Sequence, residues 1–224
     1  MTTQAILPYD QVMFDDYAAF KPYMLGPRTS HALRADPRHL LFSLSRYKFC
    51  AKMLEGKERV LEVGCGDAFA APIMLQTVGH LHCVDIEPRM IEQSIAANEF
   101  PDRLSFAVAD ITRQRPQGEF DAAISLDVLE HIPPDMEKKF LTNLVDCLTQ
   151  HCVCIIGTPN IAADKYASAL SRHGHVNLKS QNTLKDSLAP YFRHIFLFSM
   201  NDEVVHTGFA PMAHFLFAMC VEKC

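Results

Sequence analysis

Between Arg59 and Gly157 short apolar runs alternate with amphipathic ones, and few folds accommodate that order. Strand–helix–strand alternation is the signature of a parallel sheet wrapped by helices on both faces. The runs RVLEVG (59–64), LHCVD (81–85), LSFAVAD (104–110), FDAAISL (120–126) and CVCIIG (152–157) read as five strands. Helices are expected over 68–77, from Pro88, and over 134–149, where Met136, Phe140, Leu141, Leu144 and Leu148 share one face. A short helix is expected near 181–188. The end of the chain differs: HIFLFSM (194–200) and HFLFAMCV (214–221) are joined by a segment too short for a crossover helix, so they should pair antiparallel.

At 224 residues the chain suits one domain with an appended segment. No stretch approaches the roughly 20 apolar residues of a membrane span, and the first twenty residues lack the pattern of a secretory signal. A soluble, cytoplasmic protein is expected, with no membrane partner. None of the eight cysteines forms a C-x-x-C pair. They read as buried thiols, Cys152 and Cys154 on one face of a strand, and no metal site is expected because no ligand spacing supports one. Residues 1–59 carry nine Lys/Arg against six Asp/Glu, and residues 60–224 twelve against twenty. An acidic body disfavours nucleic acid as a partner. Residues 1–55 fall outside the strand pattern and carry Tyr9, Phe14, Tyr17, Phe20 and Tyr23. They are expected to form a helical cap or lid over a domain spanning 56–224.

The turn after the first strand, Glu62-Val63-Gly64-Cys65-Gly66-Asp67-Ala68-Phe69, is where such a sheet holds a nucleotide-like ligand. The dinucleotide fingerprint needs a small residue at the position of Phe69. Glu62 and Asp67 flank the turn, so a pyrophosphate would meet two carboxylates while a cation would be welcomed. Asp85, 21 positions after Gly64, is placed to accept from ribose hydroxyls. A cationic, ribose-bearing ligand without phosphate describes S-adenosylmethionine.

On VLEVGCGDAF (60–69), VDIEPRMI (84–91), VADI (108–111) and FDAAISLDVLEHI (120–132), in that order, the sequence resembles the class I S-adenosylmethionine-dependent methyltransferases, over roughly residues 40–222. The last motif is similar to the small-molecule branch that includes ubiquinone-biosynthesis enzymes. The resemblance implies a Rossmann-like three-layer α/β/α sandwich with a seven-stranded mixed sheet, order 3-2-1-4-5-7-6 and strand 7 antiparallel. It also implies cofactor roles. Glu62 would act near the methionyl ammonium, Gly64, Cys65 and Gly66 would let the backbone approach, and Asp85 would hold the ribose. Ile86 would pack on adenine, Asp110 and Ile111 would meet its amino edge, and Leu126 and Asp127 would line the methionyl side. One departure is Ala68, where the family usually has a third glycine.

Arg46, just before the first strand, is a candidate donor to the methionyl carboxylate. His131 lies past the fourth strand, at the mouth of the sheet, and is the candidate catalytic residue, as base or orienting donor. His173, His175 and Asn177, with His206, Tyr17 and Tyr23, are candidates for contact with a small-molecule acceptor. The expected activity is methyl transfer to an oxygen or nitrogen of a small polar molecule, such as a sugar or biosynthetic intermediate. The competing readings are a cofactor-binding relative that is regulatory or transfers aminopropyl groups, and an NAD-dependent oxidoreductase.

Overall fold

The computed structural model describes residues 7–20 and 23–224. In chain order the elements are helices α1 (Pro8–Ala19), α2 (Pro27–Ala35) and α3 (Pro37–Met53), then β1 (Arg59–Val63), α4 (Ala71–Met74), β2 (His80–Asp85), α5 (Pro88–Ala96), β3 (Leu104–Val108) and β4 (Phe120–Leu126). After a 3-10 turn (Leu129–His131) come α6 (Pro134–Asp146), β5 (Leu148–Pro159), α7 (Ala169–Gly174), α8 (Gln181–Leu188), β6 (Phe192–Asn201), β7 (Val204–His206) and β8 (Phe215–Lys223).

One sheet results, in the order β3-β2-β1-β4-β5-β8-β6-β7. Strands β1 to β5 pair in parallel, and β8 inserts antiparallel between β5 and β6. The expected sandwich and order hold, with one correction. There are eight strands, because Val204–His206 turns back on β6 as a short edge strand, so two strands rather than one oppose the rest. Alternation along each strand builds a core on each face. On one, Leu61, Ala123, Cys154, Ile156 and Leu216 meet Phe140, Leu141 and Leu144 of α6 and Leu184 and Leu188 of α8. On the other, Val60, Cys83, Ile124, Ile155 and Phe217 meet Cys50 and Ala51 of α3, Met74 of α4 and Ile91 of α5. Cys152 and Cys154 share a face, as their spacing requires, and seven of the eight cysteines are buried thiols.

Three local expectations are corrected. The helix expected over 68–77 shrinks to four residues, since left-handed backbone at Gly64, Gly66 and Ala68 carries the loop past its first turn. The helix from Pro134 stops at Asp146, because Leu148 begins β5. A cap spanning all of 1–55 is not what forms: α3 buries Cys50 and Ala51 in the core, so a boundary after residue 55 would cut through packed side chains.

Ahead of α3 the attachment is polar. Thr29 donates its backbone N–H to Asp67 Oδ2 (2.8 Å) and its hydroxyl to Oδ1 (2.7 Å), pinning α2 to the glycine turn. Helix α1 buries none of its residues. Hydrogen bonds to a charged group contribute about 1.5–3 kcal/mol each, so Asp67→Ala should speed amide exchange across 27–35 by about tenfold or more. Exchange–mass spectrometry with β1 to β5 still protected checks this; unchanged exchange in α2 would mean another contact holds it.

Candidate functional site

Strand β1 lies between β2 and β4, and the chain leaves β1 and β4 towards opposite edges of the sheet. A crevice opens at such a switch point beyond the carboxyl ends of the strands. Its floor is the turn after β1. Gly64 (φ +78°) has no room for a side chain: a Cβ there would collide with Val128 Cγ2. Gly66 (φ +56°) donates its N–H to Asp85 Oδ2 (2.8 Å), and Glu87 N–H donates to Oδ1 (2.9 Å). Asp85 thus bolts the turn to the end of β2, and each oxygen keeps a lone pair for a further donor. Ile86 beside it is 65% exposed, an apolar platform at the crevice edge. Cys65 is buried at the root of the turn.

Below the turn, Glu62 is buried; Tyr47 Oη donates to its Oε1 (2.5 Å) and Cys83 Sγ to its Oε2 (3.4 Å). Burial pushes this carboxyl up to about 7, against the pull of those two donors. On the other wall, Asp127 sits in left-handed backbone (φ +56°) and takes Arg46 Nη1 at 2.6 Å. The Arg46 guanidinium lies 3.8 Å over the Phe215 ring, and its Nε is buried without a partner. Gly157 makes room for that ring: a Cβ there would be 2.8 Å from Phe215 Cε1. Helix α3 and strand β8 together therefore deliver one buried cation to the end of β4.

Beyond Asp127, Glu130 is fully buried. Its Oε2 accepts from Thr158 Oγ1 (3.0 Å) and its Oε1 has no partner. Burial, and then the Asp127 charge, push its carboxyl up to about 8. Its main-chain carbonyl accepts from Val176 (2.8 Å) and Asn177 (3.0 Å), stitching that distant segment to the mouth. His131 Nδ1 donates to the Gly174 carbonyl (2.9 Å), which leaves Nε2 with its lone pair, 4.0 Å from Glu130 Oε1. The His175 ring stands 5.2 Å from that of His131. Burial, and then His131, lower the His175 pKa.

The crevice thus collects Arg46, Glu62, Gly64, Cys65, Gly66, Asp85, Ile86, Asp127, His131 and His175 from the sequence candidates. Leu126 is buried beneath it. Asp110 and Ile111 follow β3, but both already have local partners. Asp110 Oδ1 accepts from Thr112 N–H (3.0 Å) and hydroxyl (2.6 Å), its Oδ2 pairs with Arg113, and the Ile111 carbonyl accepts from Asn143. Other candidates are not brought to the mouth. Tyr17 is exposed on α1, and Tyr23 lines a separate cavity of about 230 Å³ with Asp67, Phe69 and Phe106. His173 is exposed. Asn177 spends its amide on Glu137 Oε2 (2.6 Å), beside Lys179. Both ring nitrogens of His206 are used, one by Asn201 and one by Gly208 N–H, so this residue shapes the hairpin. Sequence reasoning missed Phe215 and Thr158, which carry no motif signal. Glu130 was not singled out either, although the Glu-His pair at 130–131 is visible in the sequence.

Residues 60–151 match the model of a methyltransferase domain. The ubiquinone biosynthesis O-methyltransferase of Xanthomonas campestris pv. campestris (strain B100) is 27% identical over 101 residues, 43% of this chain and 42% of that protein. That of Xylella fastidiosa (strain 9a5c) is 25% identical over 129 residues, 56% of this chain and 50% of that protein. The chain therefore spans half or less of the length of these curated relatives. Among solved structures, the N-methyltransferase NodS from Bradyrhizobium japonicum WM9, in complex with S-adenosylhomocysteine, shares the fold at TM-score 0.62, with 19% identity over 85% of this chain and 90% of NodS. A chain from the complex between the Haloferax volcanii Trm112 methyltransferase activator and the protein assigned as a methyltransferase does so at 0.69, with 16% identity over 94% of this chain and 98% of that one.

The glycine turn's departure from the pattern it resembles is Ala68, held at φ +49°. An L-residue there costs roughly 1–2 kcal/mol of backbone strain, partly offset by the entropy glycine loses on folding. Ala68→Gly should therefore raise stability by about 0.5–1 kcal/mol, read as a higher denaturation midpoint at unchanged slope; a lower midpoint would show that Ala68 packing outweighs the strain.

Proposed function

We propose that this chain binds S-adenosylmethionine in the crevice and transfers its methyl group to an oxygen of a small polar molecule. The observation that carries the reading is the charge of the crevice. Around a turn opened by Gly64 and Gly66 stand four carboxylates (Glu62, Asp67, Asp85 and Asp127) against the guanidinium groups of Arg28 and Arg46. That excess suits a ligand whose sulfonium and ammonium are cationic, and it opposes a pyrophosphate. The curated relatives, named as O-methyltransferases, support an oxygen acceptor. NodS, in complex with S-adenosylhomocysteine, supports the cofactor.

The cofactor, when bound, supplies an activated methyl for in-line displacement, so most of what the chain must do is position two molecules. Asp85 offers its remaining lone pairs to ribose hydroxyls, and Ile86 offers apolar surface to the base. Asp110 and the Ile111 backbone stand on the base side. Glu62 has both oxygens engaged by Tyr47 and Cys83, so it acts on the ammonium through its charge. Arg46 keeps a free Nε for the carboxylate, while Leu126 and Asp127 close the methionyl side. His131, its ring oriented by Gly174, stands at the acceptor end of the crevice. The segment before α3, pinned by Asp67, is the element placed to cover the crevice.

Asp85→Ala removes acceptors for two hydroxyls and loosens the turn. Affinity for S-adenosylmethionine should fall roughly ten- to a hundredfold by calorimetry, and full affinity in that variant would remove Asp85 from the site. Glu62 adds a pH signature. A cation favours its ionised form, so binding releases the proton that burial holds up to about 7. Affinity should be about tenfold lower at pH 6 than at pH 8, levelling above neutrality. Glu62→Gln should flatten this dependence; an equal slope in both proteins would assign it to another group.

A further inference from the structure

Glu130, His131 and His175 each offer one ligand atom within 4.8 Å of the others. We infer that they form a divalent transition-metal site at the acceptor end of the crevice, one that binds oxygen atoms of the methyl acceptor in its open positions. This deepens the proposed function and rests on it for the identity of the acceptor, but not for the existence of the site.

In this cluster two buried atoms lack partners among the described residues. Glu130 Oε1 belongs to a fully buried side chain and accepts no hydrogen bond, and His175 Nδ1 is likewise buried and unpaired. An unsatisfied buried polar group costs about 1–3 kcal/mol, and a native structure keeps one for a reason. Both belong to residues of the cluster, and an ion held there would give Glu130 Oε1 its missing partner. The cation also needs deprotonated ligands held by outer partners. His131 has that arrangement: Nδ1–H is spent on the Gly174 carbonyl (2.9 Å) and the lone pair is left on Nε2. Glu130 has it too, since Thr158 Oγ1 donates to Oε2 (3.0 Å) and leaves Oε1 free. The Glu130 carbonyl holds the backbone of Val176 and Asn177, which sets His175 beside His131 although they lie far apart in sequence.

Metal–nitrogen and metal–oxygen bonds of roughly 2.0–2.2 Å bring first-shell ligands to about 3 Å from one another. Nε2 of His131 now lies 4.0 Å from Oε1 of Glu130, so an ion would draw the set together by about an ångström. Two imidazoles and one carboxylate suit Mn²⁺, Fe²⁺, Co²⁺ or Zn²⁺ and leave positions open. The nearby Asp127 carboxylate adds negative charge, which the Arg46 guanidinium opposes. A cation lowers the proton affinity of an oxygen it ligates. The acceptor class this selects carries a hydroxyl with a second oxygen next to it, able to chelate.

The test uses the full chain stripped with EDTA and titrated with Co²⁺ alone, followed by calorimetry and by visible absorption. One equivalent should bind. Glu130→Gln, which preserves shape, and His175→Ala, at a half-buried position, should each weaken binding at least about tenfold. Thr158→Val, which only positions the carboxylate, should weaken it roughly 10–100-fold. Thermal melts confirm that the variants fold. No saturable Co²⁺ binding, or wild-type binding in both Glu130→Gln and His175→Ala, overturns the inference. S-adenosylmethionine is titrated in parallel. A chain that binds it but not Co²⁺ loses only the metal site; one that binds Co²⁺ but not S-adenosylmethionine keeps the site and loses the proposed function.

Discussion

The pairing of β1 with both β2 and β4 is the constraint on which the rest of this molecule depends. It places two strand ends side by side whose following segments must diverge, and it brings the turn after β1 against the residues after β4. The contact there is backbone to side chain: Val128 occupies the space that any residue larger than Gly64 would need. From that contact the polar residues of the crevice follow by register. Glu62 and Asp85 sit near the ends of β1 and β2, and Asp127 follows β4 directly.

Charges so placed need partners, and much of the remaining structure supplies them. Asp85 is satisfied by two backbone donors of its own neighbourhood. Asp127 is satisfied from far away in sequence, by an arginine that α3 carries in and that the Phe215 ring supports. Removing one partner of a buried ion pair leaves an uncompensated charge, at a cost of several kcal/mol. Arg46 therefore adds a polar tie between α3 and the end of β4 to the apolar contact its face makes with the sheet. Glu62 is handled otherwise: among the described residues its donors are one phenol and one thiol, and burial raises the energy of its charge.

The legible elements were those whose residues solve their burial locally. Strands β1, β2 and β4, and helix α8, appear within a residue or two of where apolar runs place them, because period and length coincide. The misjudged ones took their limits from elsewhere. Helix α4 gave up its first turn to left-handed backbone in the glycine turn, and the end of α6 gave way to Leu148, whose place in β5 is set by Phe120. Residues 1–55 looked like one segment by composition. The structure divides them, because only from α3 onward does the apolar face find the sheet.

Alone, the sequence determined the layered α/β architecture and the acidic, glycine-opened turn, since these rest on periodicities and spacings within about thirty residues; the strand order came only with the resemblance to a known family. Only the tertiary structure decided which histidines stand at the mouth of the sheet. His131, His173, His175 and His206 are equivalent as letters. What separates them is who holds their ring nitrogens: Asn201 and Gly208 for His206, Gly174 for one nitrogen of His131, and no partner for Nδ1 of His175. Hydrogen-bond supply to a buried atom is settled by every segment that packs around it, and no local spacing encodes that.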